Sequence, residues 1–101
     1  MITLGELIRQ QRVKEGLLLR QLAAKLDLDP AVLSKIERGD RKATRNQIVK
    51  IAEILSLDQK ELLIQYLSEN IVLVLANEDV AAQALRAVEI KLDLLKKNRN
   101  D

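Results

Sequence analysis

One short segment, DPAVLSKIERG (residues 29–39), limits the folds open to this chain more than any other. Asp29 is a typical helix N-cap, Pro30 suits the first helical position, and Gly39 is typical of a helix end. A helix confined between these residues is too short to be stable alone in water. The segment therefore predicts a helix held by neighbouring helices, with its inward residues at Leu33 and Ile36.

Polar capping signals mark the ends of the other helices. Residues 3–6 (TLGE) and 44–47 (TRNQ) match the capping box, in which two side chains satisfy free N–H groups at a helix start. Residues 58–61 (DQKE) give a third start signal. The first helix is expected to stop near Gly16, and apolar spacing predicts a second short helix over residues 19–26. The chain is therefore expected to be all-α.

The C-terminal third is less regular. The β-branched run IVLVL (residues 71–75) is compatible with a strand, but no turn signal precedes it and helix formers flank it. We therefore expect a continued, buried helix. Asn77 is the predicted cap of a last helix, whose apolar residues recur at spacings of 4, 3, 4 and 3, as in a heptad seam: Ala81, Leu85, Val88, Leu92 and Leu95.

The heptad seam has two interpretations. It can pack on the chain's own core, or it can pair with the same helix of a second copy. We favour the second copy. The chain is then divided into a binding domain at residues 1–66 and a helical extension at residues 67–101, which packs on the same domain and dimerises. The dimer contact is then assigned to the four larger seam residues: Leu85, Val88, Leu92 and Leu95.

Composition excludes several classes of function. The chain has 101 residues, enough for one compact domain, and it contains no Cys and no His. This excludes thiol catalysis, zinc fingers and Ser-His triads, and the three glycines are isolated rather than grouped in a phosphate-binding loop. We expect neither an enzyme nor a cofactor or metal site. Without a signal pattern or a long apolar run, we expect a cytoplasmic protein without membrane contact.

Charge is distributed unevenly along the chain. The net charge is only +2, but residues 35–50 hold six cations against two acids, whereas residues 51–80 hold one cation against six acids. The positive field is therefore centred on the segment that follows the short helix of residues 30–38. A solvated charged face is the plain interpretation, but position beside a short exposed helix favours contact with an anionic polymer.

Two short helices, at residues 19–26 and 30–38, are joined by the tight turn Asp27-Leu28. Ala23 is small enough for the two helices to cross closely. This arrangement predicts a helix-turn-helix, whose second helix enters the major groove of DNA.

The same residues carry a family resemblance. Residues 3–63 resemble the lambda-repressor/Cro-like (Xre) helix-turn-helix family, through LGELIRQQRVKEGL (4–17), RQLAAKL (20–26), LSKIERGDRKAT (33–44) and IVKIAEILSLDQKELL (48–63). The resemblance implies a domain of about five helices, followed here by one or two more. It also implies a homodimer that binds a near-palindromic site on double-stranded DNA and regulates transcription. Within the family, the chain most resembles controller proteins of restriction-modification systems or other regulators of defence-associated or phage-type loci.

The resemblance also implies roles for individual residues. Lys35 is the best candidate for a base contact, and Arg12 and Glu37 are expected to form an ion pair between the first helix and the recognition helix. The full set of residues implied to contact DNA, through bases or through the backbone, is Arg20, Pro30, Ala31, Ser34, Lys35, Arg38, Arg41, Lys42, Thr44 and Arg45.

The chain departs from the family at the start of the second helix. Where many members have Ser-Gln or Thr-Gln, this chain has Leu18-Leu19, which removes a side-chain cap and a polar DNA contact. Asp27 stands where the family has its turn glycine. These departures leave a second interpretation open, that of an antitoxin or protein-interaction module with weak DNA binding.

Overall fold

The computed structural model describes residues 2–99 and contains six helices in that range. No strand occurs among these residues, so the all-α prediction is confirmed, as is the helical state of residues 71–75. The bounds of the helices are α1 Leu4–Lys14, α2 Leu19–Lys25, α3 Pro30–Arg38, α4 Arg45–Ile54, α5 Gln59–Leu75 and α6 Ala81–Arg99.

Helix starts follow the predicted capping residues. Thr3 Oγ1 accepts from the Glu6 backbone N–H at 3.1 Å, and a Glu6 carboxylate oxygen accepts from the Thr3 N–H at 3.3 Å. Thr44 and Gln47 form the same reciprocal pair at the start of α4. The predicted last helix is present as α6, but the predicted cap at Asn77 was wrong. Asn77 belongs to the turns that follow α5, and α6 begins only at Ala81, whose N–H donates to the Glu78 carbonyl.

Four helix ends share one backbone motif. At the end of α3, the Asp40 N–H bonds back to the Lys35 carbonyl at 2.8 Å, and Gly39 takes the left-handed conformation with φ 81°. The same type of hydrogen bond, from an N–H group to the carbonyl five residues earlier, closes α1, α2 and α4. At the ends of α2 and α4 the left-handed position is not glycine but Asp27 (φ 57°) and Ser56 (φ 55°). Each of these two turns is therefore strained by a side chain.

The core surrounds α3. It draws buried aliphatic residues from each of α1 to α4 and from the first turns of α5, with partly buried leucines from the helix ends packed around them. The buried residues are Leu4, Ile8, Leu22, Ala23, Leu26, Leu33, Ile36, Ala43, Ile48, Ile51, Ala52, Leu55 and Leu62. A nine-residue helix is thereby held by a core that it could not provide alone.

The chain divides into two compact units, Met1–Asn70 and Ile71–Asp101. Within the second unit, no residue of α6 is buried. The expectation that residues 71–75 are buried was wrong, since Leu73 is 71% exposed and Val74 is 74% exposed. The contacts of α5 with the core come from its first turns. Its later turns remain helical although most of their apolar side chains are exposed. None of the helices described is long and apolar enough to cross a membrane.

Candidate DNA interface

The recognition helix α3 has one fixed face and one free face. Leu33 and Ile36 are buried in the core, and Glu37 is only 6% exposed. The opposite side of the helix carries Ala31 and Lys35, one helical turn apart and both exposed. Of the other predicted base-facing residues, Pro30 is exposed and Ser34 is half-buried. The free face is therefore narrow, with one cation at its centre.

An ion pair fixes the inner side of α3 to α1. Arg12 Nε donates to Glu37 Oε2 at 2.8 Å, and Arg12 Nη2 donates to Glu37 Oε1 at 3.1 Å. Arg12 Nη1 also donates to the Leu17 carbonyl at 2.9 Å. The side chains are only 11% and 5% exposed, respectively. This two-pronged geometry defines the rotation of α3 about its own axis, because both carboxylate oxygens are engaged.

A close approach that we did not anticipate fixes the end of α3. A Cβ atom on Gly5 would come within 2.6 Å of the Ile36 carbonyl oxygen and would also collide with the Glu37 carbonyl oxygen. The start of α1 therefore packs directly on the last carbonyls of α3. The available signal was a glycine inside the first turn of a helix, where alanine is otherwise preferred.

The two helices of the motif meet at a short turn. Ala23 is completely buried, and its carbonyl accepts from the Leu28 N–H at 2.9 Å. Asp27 has the positive φ that the turn requires. Asp29 Oδ1 then accepts from the Ala31 N–H at 2.8 Å, which starts α3. Backbone bonds and one carboxylate thus define the angle between the two helices.

The unusual start of α2 is capped in a different way from that of the family. Leu18 cannot accept a hydrogen bond through its side chain, but Gln21 Oε1 accepts from the Leu18 N–H at 2.8 Å. Half of a capping box therefore remains, and the Gln21 contribution was missed in the sequence. Leu18 itself is 50% exposed, and Val13 is 57% exposed. Arg20, in the first turn of α2, is also exposed.

Cations surround the end of α3. Arg41, Lys42 and Arg45 are all exposed. Arg38 Nε lies 3.2 Å from Asp40 Oδ2, and these two side chains are 61% and 63% exposed. Asp40 therefore neutralises part of the positive field and competes with any anion for Arg38. Thr44 uses its hydroxyl oxygen as the α4 cap and keeps its proton free to donate.

These features define a helix-turn-helix DNA-binding domain of the lambda-repressor type. The helix-turn-helix family model matches residues 8–61, more than half of the chain, so the chain belongs to this family of DNA-binding transcription regulators. Comparison with curated proteins finds no match.

Two solved structures share the fold. One is described as the clp gene regulator ClgR from Corynebacterium glutamicum, with 24% identity, a TM-score of 0.56, and coverage of 91% of this chain and 84% of that chain. The other is a SinR protein/SinI protein complex, with 24% identity, a TM-score of 0.54, and coverage of 98% of this chain and all of that chain. Both likenesses extend beyond the helix-turn-helix into the C-terminal helices.

Proposed function

We propose that this protein binds one double-stranded DNA sequence specifically and, as a homodimer on a near-palindromic operator, regulates the adjacent promoter. The observation that carries the proposal is the contrast between the two sides of α3. Its inner side is fixed by the core and by the Arg12–Glu37 pair, whereas Ala31 and Lys35 are free. A preorganised helix with an exposed outer face is what major-groove recognition requires.

Base recognition is assigned to the free face of α3. Lys35 is long enough to reach the O6 and N7 acceptors of guanine, and Ala31 suits contact with a thymine methyl group. Ser34 is placed to reach a base edge or a phosphate. Because Pro30 and Ala31 offer no side-chain hydrogen bonds, the protein also reads the shape and flexibility of the DNA.

Phosphate contacts are assigned to the residues around this face. They position the protein without selecting sequence, and they make binding depend steeply on salt. The free N–H groups in the first turn of α4 are suited to an additional phosphate. The side chains assigned to this role are Arg20, Arg38, Arg41, Lys42, Thr44 and Arg45.

The exposed apolar surface of the C-terminal helices supports the homodimer. Seam residues Leu85 and Val88 are 42% and 37% exposed, and Leu92 and Leu95 are 58% and 54% exposed. Among the described residues of the second unit, eleven large apolar side chains are exposed. Exposed apolar side chains in this number are typical of a surface that a partner covers.

The experiment that tests this function is selection of binding sites from a random duplex DNA pool. A palindrome with half-sites about one helical turn apart supports the dimeric regulator. Enrichment of nothing above non-specific binding contradicts it. The resemblance to controller proteins favours a restriction-modification, defence or phage-type locus. A search for the selected site upstream of the protein's own gene tests that choice.

A second candidate is an antitoxin or protein-interaction module that retains the helix-turn-helix scaffold. The observation that favours it is the exposure of two aliphatic side chains, Val13 near the end of α1 and Leu18 at the start of α2. A gel shift separates the two candidates. An interaction module shows only salt-sensitive binding without a preferred site, and changing Leu18→Ser does not create one.

A further inference from the structure

We propose that the two copies pair through antiparallel α6 helices, with Ala81 of one copy opposite the partner's Leu92 and Leu85 opposite the partner's Val88. This inference rests on the homodimer proposed above and adds its direction and register. The occupant of the α6 seam, in which Ala81 is half-buried and the four larger residues are exposed, is thus the same seam of a second copy. Three features of α6 support this arrangement.

Charge at the two ends of α6 is the first feature. Glu78 and Asp79 precede the helix, whereas Lys96, Lys97 and Arg99 lie in its last turn, and all five side chains are exposed. A parallel pair would place acids beside acids and cations beside cations. An antiparallel pair in the proposed register brings the acidic end of one helix beside the basic end of the other. The same layout also stabilises each single helix through its own dipole, so it does not by itself distinguish a parallel from an antiparallel pair. That distinction must come from residues nearer the centre of α6.

Residues that flank the seam distinguish the antiparallel pair from the parallel one. Flanking charges set the direction of paired helices. In a parallel pair, Lys91 of one copy would face the partner's Lys96, a like-charge contact. In the proposed antiparallel register, Lys91 faces the partner's Ala84, and Glu89 faces the partner's Ala82. The antiparallel arrangement thus removes the repulsion from the flanks of the seam.

Side-chain size along the seam is the third feature. The antiparallel register pairs Ala81 with leucine and Leu85 with valine, so that both of these layers combine a smaller and a larger side chain. Leu95 lies beyond them, next to the partner's Glu78 at the edge of the contact. A parallel pair would instead stack Ala81 on the partner's Ala81, which leaves a gap, and Leu92 on the partner's Leu92. Layers that combine large and small side chains fill space more evenly.

Disulfide trapping tests the direction directly, because the chain contains no cysteine of its own. Full-length Ala81→Cys and Leu92→Cys variants are prepared, mixed in equal amounts, unfolded and refolded together, and then oxidised mildly. Intact mass distinguishes the mixed disulfide from the two homodisulfides. Light scattering gives the oligomeric state of the wild-type chain and of each variant before oxidation.

The antiparallel register predicts that the mixed disulfide forms quickly. Two copies of residue 92 would lie more than about 16 Å apart, since they are offset by eleven residues along the helix axis. Bridging fails beyond about 7 Å between Cα atoms, so each homodisulfide should form at least about tenfold more slowly. A fast Leu92→Cys homodisulfide, or a wild-type dimer that gives no mixed disulfide, overturns the inference and leaves the homodimer standing. A monomeric wild-type chain overturns both.

A second pair of variants covers the case in which Leu92→Cys weakens pairing. Ala84→Cys and Lys91→Cys lie beside the seam rather than within it, and they face each other only in the antiparallel register. Their mixed disulfide is expected to form in preference to either homodisulfide. Its absence from a dimeric mixture overturns the proposed register.

Discussion

Lys35 is the residue on which sequence recognition depends most. It is the only cation between Pro30 and Ile36, and it stands one turn from Ala31 on the free face of α3. We expect Lys35→Ala to lose about 1–3 kcal/mol at the selected operator and to relax one base position. Quantitative gel shifts on the operator and on single-base variants measure this.

The matched control for Lys35 is Lys60→Ala, which removes an exposed lysine from the acidic part of the chain. It should change operator affinity little. If Lys35→Ala instead weakened binding equally on every DNA sequence, Lys35 would be a phosphate contact and not a base contact.

Asp40 should act against DNA binding. Its carboxylate lies 3.2 Å from Arg38 Nε in an exposed pair. Exposed pairs of this kind contribute at most about 1 kcal/mol, so Asp40→Asn should cost little stability while it frees Arg38 for a phosphate. We expect tighter binding on operator and random DNA alike, by about tenfold at most. Fluorescence anisotropy at several salt concentrations measures it. Asp93→Asn, the same charge change in α6, is the control, and equal gains from both would make the effect one of net charge alone.

At the scale of elements, the buried pair between α1 and α3 links stability to recognition. Glu37→Gln leaves Arg12 without its charged partner, which should cost roughly 3–5 kcal/mol of unfolding free energy. The double variant Arg12→Met with Glu37→Met removes both charges and should recover much of that stability. If the pair orients α3, the double variant still binds the operator more weakly than the wild type.

Two measurements on the same samples separate these roles. Thermal melting followed by circular dichroism reports stability, and gel shift reports operator affinity. Recovery of both stability and affinity in the double variant would make the pair dispensable for orientation. No change in either property for Glu37→Gln would remove its role altogether.

Substitutions in the turns that end α2 and α4 can raise the stability of the fold. Asp27 and Ser56 have φ values of 57° and 55°, which cost roughly 1–2 kcal/mol for a residue with a side chain. Glycine removes this cost but adds freedom to the unfolded chain, so Asp27→Gly and Ser56→Gly should each raise stability by about 0.5–1 kcal/mol. Urea denaturation measures the change. The matched control is Glu53→Gly inside α4, which should destabilise by about 1 kcal/mol. Loss of stability at position 27 or 56 would show that the native side chain stabilises the fold by more than its positive φ costs.

Local chemistry explains which elements the sequence predicts. Caps and turn residues act on their neighbours, so the start of α3 at Asp29 and its end at Gly39 were predictable, as was the pattern of Leu33 and Ile36. The packing role of Gly5 was not predictable, because it depends on carbonyl groups more than thirty residues away in the sequence. The exposure of residues 71–75 was missed for a similar reason. An apolar run predicts a segment that is buried, but it does not tell whether the same chain or a partner buries it.

For the whole molecule, the central expectation is that α6 supplies assembly and the helix-turn-helix supplies recognition. Leu92 is 58% exposed, so Leu92→Glu should leave the fold of the single chain intact. In the dimer it would bury a charge in the seam, which should dissociate the pair at micromolar concentration because an unpaired buried charge costs several kcal/mol. Light scattering should then report the mass of one chain, with an unchanged helical circular dichroism spectrum.

Loss of the dimer should also weaken operator binding, because two linked recognition helices gain about 10²–10⁴ in affinity over one. Binding to a single half-site should change little, since α3 is untouched. Gln83→Glu is the matched control: it adds the same charge to the same helix outside the seam, and it should keep both the dimer mass and the operator affinity. A Leu92→Glu chain that keeps the dimer mass would exclude α6 as the contact. A monomeric variant with full operator affinity would instead show that each domain recognises its half-site independently.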